Sequence, residues 1–523
     1  MRFRFTGKQA VRTAGCVLFC LIVCAAAFLN RTLITEPAAD FLRGAGFQKA
    51  KKTLGENLLG DRFRGRDELL SLNGGFAGLE GRSLYNQVQR MTNGMLISPT
   101  SSMKDTTDFV HSMDAFHRFL QARGIPFLFV LAPYKEPTSE TLLPAGVTDL
   151  TNEITDRTLE MLAERDVPYL DLRESMSRTK EQVEQYFYRT DHHWNADGAF
   201  LAYQRIMEAV QAQFPETKMS YTDPALWEKN VLPRWWLGSH GRRVGPLFAG
   251  VDDLDFYLPA FETEMSRYSP GVWAYKGDFR KVSIREWFIE NSNYMRLDNY
   301  QRYLGGGYPL TYHRNQRAEN QRKLFLIRDS FMLPVECFLS TEFTALDVLD
   351  PREYGQMNEV DYVRLNPPDM VVMMICPAVL TNEYYRYYTD FGAGTGLEVT
   401  GETYWDGMTA RASDGEADYE VLPARLEGGK SYVLTLDGIQ VRNGSPEGAG
   451  IALYDGETLV DQTIFDIEYG NAFGFHWGFQ IPENTAGEGN YALRFYAGIA
   501  GGPDDVTLDY QGIRLQECFL PKP

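Results

Sequence analysis

Thr190-Asp191-His192-His193-Trp194-Asn195 sets two of the chain's seven histidines side by side, next to an aspartate. A second short stretch, Ile327-Arg328-Asp329-Ser330-Phe331, carries an apolar run from Leu324 to Ile327 into a serine. A serine hydroxyl is a poor nucleophile until a base takes its proton, and an imidazole base needs a carboxylate to fix its tautomer. On extended backbone, residues two apart point the same way. Asp191 can therefore hold one ring nitrogen of His193 while the other faces Ser330, with His192 turned to the opposite side. An adjacent His pair with an Asp is also how a metal site can begin, with a third ligand from His240, His313 or an acid among residues 215–320. Nothing in the sequence marks that ligand, and no CxxC pair supports zinc. Spacing alone leaves both chemistries open, beside the plainer reading in which Ser330 only caps a helix.

The elements around these stretches alternate. Phe109, Met113, Phe116 and Leu120 recur at helical spacing, and Ile125 to Ala132 is a short apolar run such as a doubly buried strand presents. A second helical pattern (Ile154, Leu159, Leu162) leads to a strand at Val167–Leu172. Asn195 is a good N-cap for a helix whose apolar face is Phe200, Tyr203, Ile206, Met207, Val210 and Phe214. After Leu324–Ile327 and Ser330 comes a helical stretch in which Pro334 is tolerated in the first turn, then strands at Phe343–Leu349 and Met370–Ile375. This pattern predicts an α/β domain with about five parallel strands. Asn73-Gly74-Gly75 and Asn93-Gly94 read as turns. Residues 215–320 break the alternation and hold five of the eight tryptophans and the run Gly305-Gly306-Gly307. They are expected to be an insertion of short strands and loops laid over the sheet, whose aromatics either pack or line a carbohydrate site. From about residue 395, short strands such as Tyr432–Leu436, Ile451–Tyr454, Tyr491–Phe495 and Val506–Tyr510 predict an all-β sandwich or jelly roll. The expected division is thus 1–35, 36–390 and 395–523.

With 523 residues the chain is long enough for two or more domains, and 44% hydrophobic with 23% charged residues is a globular composition. A formal net charge of −18 argues against nucleic acid as a partner. Arg2, Arg4, Lys8 and Arg12 precede an uncharged run from Thr13 to Leu29, at the short end of what a spanning helix needs. The charge asymmetry predicts a single-pass anchor with the bulk of the chain outside the cytoplasm. A cleaved signal at Ala25-Ala26-Ala27 and a lipoprotein signal ending at Cys24 are the competing readings, with the same compartment. Cys337, Cys376 and Cys518 are odd in number and scattered, so free buried thiols with at most one disulfide are expected.

Asp191-His192-His193-Trp194 resembles the signature of the DHHW family, which is related to the alginate O-acetyltransferases. Arg328-Asp329-Ser330-Phe331 resembles that family's serine block, with Arg328 where ordinary SGNH esterases carry glycine. Ala132-Pro133-Tyr134-Lys135 and Leu142-Leu143-Pro144 are similar to its segment after an early strand. The resemblance covers roughly residues 70–380. It implies a three-layer SGNH-hydrolase-like fold in permuted order, with Asp191 and His193 ahead of Ser330. It also implies an acetyl-enzyme on Ser330, with His193 as general base and a surface polysaccharide or water as acceptor. No cofactor or metal is implied. A polytopic membrane acyltransferase as acetyl supplier follows from the same analogy. Oxyanion donors would be the Ser330 N–H, joined by Gly305–Gly307, Asn315 or Arg352 as candidates, with Arg328 a further candidate contact. A carbohydrate O-acetyl esterase and a non-catalytic polysaccharide-binding scaffold are the rival functions.

Overall fold

A computed structural model describes residues 63–380 and 398–519, with short breaks at 270–271, 292, 294, 354–358, 414–419, 444–448, 466–471, 483–487 and 498–505, plus a few positions before 63. The expected spanning run at 13–29 lies almost wholly outside the described residues. Among the described residues, no helix is long and apolar enough to cross a membrane.

Helix α1 (Arg66–Leu79) opens the described chain and is followed by a small antiparallel sheet, β1 (Leu84–Tyr85), β2 (Val88–Arg90) and β3 (Leu96–Ile97). Asn73-Gly74-Gly75, read above as a turn, is instead interior to α1. A side chain at Gly74 would stand 2.0 Å from the Val244 carbonyl, so the glycines there serve close approach and not chain reversal. Asn93-Gly94 is a turn as expected, with Gly94 at φ 85°.

The α/β pattern then runs α2 (Thr107–Gln121), β4 (Phe127–Leu131), α3 (Thr151–Ala163) and β5 (Tyr169–Asp171). Helices α4 (Lys180–Tyr186) and α5 (Ala196–Gln213) flank the Asp-His-His stretch. Strands β6 (Trp227–Trp236) and β7 (Asp252–Pro259) form a separate ribbon with α6 (Ser239–Val244) between them, and β8 (Met265–Ser269), β9 (Val272–Gly277) and β10 (Leu310–Asn315) follow. The series closes with β11 (Asn320–Arg328), α7 (Leu333–Glu342), β12 (Phe343–Leu349), α8 (Glu359–Leu365) and β13 (Met370–Ile375).

The main sheet has eight strands in the order β5-β4-β13-β11-β12-β10-β8-β9. The first five are parallel and coincide with the five apolar segments read from the sequence. The other three are antiparallel and come from the insertion. The expectation of strands laid over the sheet is therefore corrected in part. Only β6 and β7 stand apart, while β8 to β10 pair onto β12 and cover an edge that would otherwise expose unpaired backbone.

The pleat sorts the core. Phe127, Phe129 and Leu131 share one apolar cluster with Phe109, Phe116 and Leu159, while Leu128 and Val130 pack with Phe200, Ile206, Phe338 and Leu339. Helices α2, α3 and α8 thus cover one face of the sheet, α5 and α7 the other. The three-layer expectation holds.

The C-terminal strands form two four-stranded antiparallel sheets facing each other. One runs β14 (Glu398–Ser413), β21 (Thr507–Phe519), β16 (Ser431–Asn443), β19 (Ala472–Gln480). The other runs β15 (Glu420–Glu427), β20 (Glu488–Ala497), β17 (Ala449–Asp455), β18 (Thr458–Phe465). Their inward side chains, among them Leu434, Leu453, Leu493 and Leu515, continue the apolar cluster of the α2/α3 face. Cys337 and Cys376 are free thiols.

Candidate functional site

Residues 187–194 form a tight loop between α4 and α5, closed by an antiparallel bridge between Phe187 and Trp194. Asn195 caps α5 as expected, its side chain accepting from the Gly198 N–H at 3.0 Å. Every side of the loop is tied down. Thr190 donates through its N–H and hydroxyl to Asp252 at 2.7 and 2.6 Å, and the Leu96 N–H donates to the Arg189 carbonyl at 2.9 Å. Lys135, just beyond β4 and buried, donates to the carbonyls of Tyr188, Arg189 and Asp191 at 2.9, 3.1 and 2.6 Å. Burial pushes the Lys135 ammonium down to about 7, against the pull of Asp252 and Asp191.

Asp191 is fully enclosed. One carboxylate oxygen accepts from the His193 N–H at 2.9 Å and lies 2.6 Å from His193 Nδ1; the other accepts from the Ser239 N–H at 2.5 Å. Burial opposes its ionisation, yet the two adjacent imidazoles and these bonds hold it well below the usual carboxylate range. His193 Nε2 then lies 2.9 Å from Ser330 Oγ. Asp191, His193 and Ser330, singled out from the sequence, are thus brought into one hydrogen-bonded chain. Tyr300 stacks on the His193 ring, with centroids 3.9 Å apart and planes 8° from parallel, and Phe331 packs on it at 4.8 Å. His192 does not turn to the opposite side as expected: its ring lies against that of His193, with centroids 3.8 Å apart, and its Nδ1 is 3.5 Å from Asp191 and 2.8 Å from Ser239 Oγ.

Ser330 is delivered by β11 and opens the helical run that continues as α7. Asp329 before it is spent on backbone, accepting from Phe331 N at 2.9 Å and Cys376 N at 2.7 Å. Ser330, Lys135, Asp350 and Cys376 all follow carboxyl ends of parallel strands, the edge at which open α/β sheets place their sites.

The further candidates fare differently. Asn315 is excluded by register: Leu310 pairs with Leu349, which is level with Ile327 near Ser330, and Asn315 lies five residues down β10 from there. That is ~17 Å along an antiparallel strand. Its amide donates instead to the Ser340 and Thr341 carbonyls. Arg328 points inward and is fully buried, pairing with Glu336 at 3.1 Å and Asp350 at 3.0 Å. Its length, unlike glycine, serves a buried ion network under the serine, where His313 Nε2 also meets Glu336 at 2.8 Å. Burial works against that carboxylate, and Arg328 and His313 still keep Glu336 below its ordinary range. Arg352 is held on Asp350 through two bonds, at 2.9 and 2.7 Å. Gly305–Gly307 precede β10 at the Ser330 end, where a side chain at Gly307 would stand 3.2 Å from Arg328.

The metal alternative gains little. Ligand atoms of Asp191, His192 and His193 lie within 4.8 Å of one another. Ligation there would compete with the Asp191–His193 hydrogen bond. Neither proposed further ligand joins them: His313 is committed to Glu336, and His240 Nδ1 sits 3.2 Å from the Leu96 carbonyl.

Three contributors escaped the sequence reading. Gly238 lies so close to Asp191 that a Cβ there would stand 2.3 Å from the Asp191 Cβ. Ser239 and Tyr300 are the others. The small-residue run Gly238-Ser239-His240-Gly241 was the available signal.

Residues 94–229 match the family model of the SGNH hydrolase-like domain, acetyltransferase AlgX. The α/β part is an SGNH hydrolase-like domain. The match includes Asp191 and His193 and ends before Ser330. Similar solved structures include Bacillus cereus PatB1, 23% identical over 57% of this chain and 98% of that chain, with a TM-score of 0.48. A DHHW family protein from Eubacterium siraeum DSM 15702 is 17% identical over 57% of this chain and 96% of its own, with a TM-score of 0.41. Pseudomonas aeruginosa AlgX is 13% identical over 83% of this chain and 94% of its own, with a TM-score of 0.37. No curated protein matches the chain in sequence.

Proposed function

We propose that this protein is an extracytoplasmic O-acetyltransferase acting on a cell-envelope or exported polysaccharide through an acetyl-enzyme on Ser330. The observation that carries the reading is the relay Asp191–His193–Ser330, with contacts of 2.6 and 2.9 Å. Ser330 Oγ attacks the carbonyl carbon of an acetyl ester as His193 Nε2 takes its proton. The donor alkoxide leaves with that proton, and acetyl-Ser330 remains. A sugar hydroxyl then attacks, His193 takes the new proton, and Ser330 Oγ departs with it. Asp191 fixes the tautomer and steadies the imidazolium formed in each half-reaction. The Ser330 N–H, at the start of a helical run, is suited to the developing oxyanion.

The DHHW resemblance extends the reading to a polytopic membrane acyltransferase as acetyl supplier, with the chain anchored through residues 13–29. Water in place of the sugar hydroxyl would give the esterase reaction with the same residues. The test follows release of a chromogenic alcohol from an aryl acetate by the full chain in detergent, with and without added glycan. An acetyl adduct on Ser330, and acetylated glycan formed at the expense of free acetate, would support the transferase. Acetate as sole product would make it an esterase. Glycan binding unchanged in Ser330→Ala, with no adduct in the wild type, would favour a binding scaffold.

A further inference from the structure

Helix α1 has two apolar sides, and only one is covered. Ala77 is buried with Val88, Leu96, Val244 and Phe248, and Gly74 and Gly245 let α1 and the segment after α6 meet backbone to backbone. On the outer side Leu72, Phe76 and Leu79 are 44, 62 and 85% exposed. Their spacing of four and three residues puts them in one stripe. Leu247, 63% exposed, extends it: its Cβ would lie 3.2 Å from a Cβ at Gly75. Leu84, 56% exposed, follows in the next strand. Lone exposed leucines are ordinary, but a continuous apolar stripe on one helix marks a contact surface.

The chain itself identifies what covers that surface. Asn30 directly follows the uncharged run 13–29 and is buried. Its side-chain amide donates to the Arg64 carbonyl at 2.9 Å, and the Arg64 N–H donates to its oxygen at 2.6 Å. The end of the expected anchor is therefore pinned two residues before α1 begins. Phe28 is 66% exposed with the Arg31 guanidinium 4.9 Å over its ring, a pairing suited to the membrane–water boundary.

We propose that the Leu72/Phe76/Leu79 face of α1, with Leu247 and Leu84, lies on the lipid surface of the membrane that holds residues 13–29. Side chains of this kind partition into the headgroup boundary when a helix lies flat on it. The consequence reaches the site, because α6 packs on α1 and carries Ser239, whose N–H holds Asp191. Docking would set the Asp191–Ser330 end of the domain toward the bilayer, where a membrane-bound acetyl supplier would stand. The proposal rests on the anchored reading of the chain and not on the chemistry of Ser330.

The test uses the full chain in vesicles of phosphatidylcholine and phosphatidylglycerol, with bromine on the upper acyl chains of half the samples. Phe76→Trp is compared with wild type and with Leu459→Trp, an exposed position in the C-terminal sandwich. We expect bromolipid to quench the emission that Phe76→Trp adds over wild type at least twofold, and to leave the emission added by Leu459→Trp unchanged. Phe76→Trp carrying Leu72→Gln and Leu79→Gln should lose most of that quenching. Equal added emission from Phe76→Trp with and without bromine would overturn the proposal. So would failure of the chain to float with vesicles. Shielding of the indole in Phe76→Trp that depends on protein concentration and not on lipid would also overturn it, and would point to a second copy.

Discussion

Replacing Lys135 by methionine removes one buried ammonium and leaves the carbonyls of Tyr188, Arg189 and Asp191 without the donor they share. The pH dependence of stability isolates the effect. Burial takes the Lys135 pKa from 10.5 to about 7 in the folded chain. Between those values the unfolded chain holds a proton that the folded chain has released, so stability rises with pH there and is flat below about 7. Crossing from pH 7 to pH 9 is worth about 2 kcal/mol from this group alone. Urea unfolding of wild type and Lys135→Met at both pH values should give curves that differ in slope by that amount, because the variant lacks the titrating group. The variant should also lose about 100-fold in turnover of an aryl acetate, since the loop that aims His193 is released and a misplacement near 1 Å has that cost. Parallel stability curves would refute a lysine whose pKa is lowered by burial. Normal turnover in a folded variant would refute its role as a positioning residue.

Other expectations concern the relay and its supports. Ser330→Ala and His193→Ala should each lower aryl acetate turnover by about 10⁴-fold, and the double variant should be no worse, because the residues act as a unit. Gly238→Ala drives a methyl into Asp191 and should destabilise by about 1–3 kcal/mol with a tenfold or greater loss of turnover; thermal unfolding and the acetate assay check both. Arg328→Met leaves Glu336 and Asp350 buried without their shared cation and should cost about 3–5 kcal/mol in urea unfolding. Arg328→Met/Glu336→Gln should recover part of that loss. Tyr300→Leu removes the ring stacked on His193 and should cost about 1 kcal/mol of transition-state stabilisation, read as a lower kcat at unchanged KM.

Much of this molecule is local, and what is local was legible. Strands β4 and β13 read as unbroken apolar runs because both faces of the sheet are covered over them. Asn195 announced its helix because a capping side chain must stand directly before the first-turn N–H groups it satisfies. The Asp191/His193 pair was readable because the carboxylate and the ring it orients are two residues apart. The inward turn of Arg328 was not readable: its partners Glu336 and Asp350 lie eight and 22 residues away and meet it only under β11.

The insertion shows the limit most plainly. Its strands β8 to β10 carry mixed aromatic and polar residues, so no period separates an edge strand from a loop that rests on the sheet. Whether they pair is decided by the open edge of β12. Asn73-Gly74-Gly75 has the composition of a turn, and only the approach of the Val244 carbonyl makes those glycines a helix contact. Lys135 was visible as part of a resemblance, but three carbonyls more than 50 residues away give it its task. The sequence by itself determined the layers, the order of the strands' hydrophobic segments and the residues able to relay a proton. Tertiary structure decided which of them meet, because a contact across the carboxyl edge of a sheet depends on strand order and register, and neither is written in local spacing.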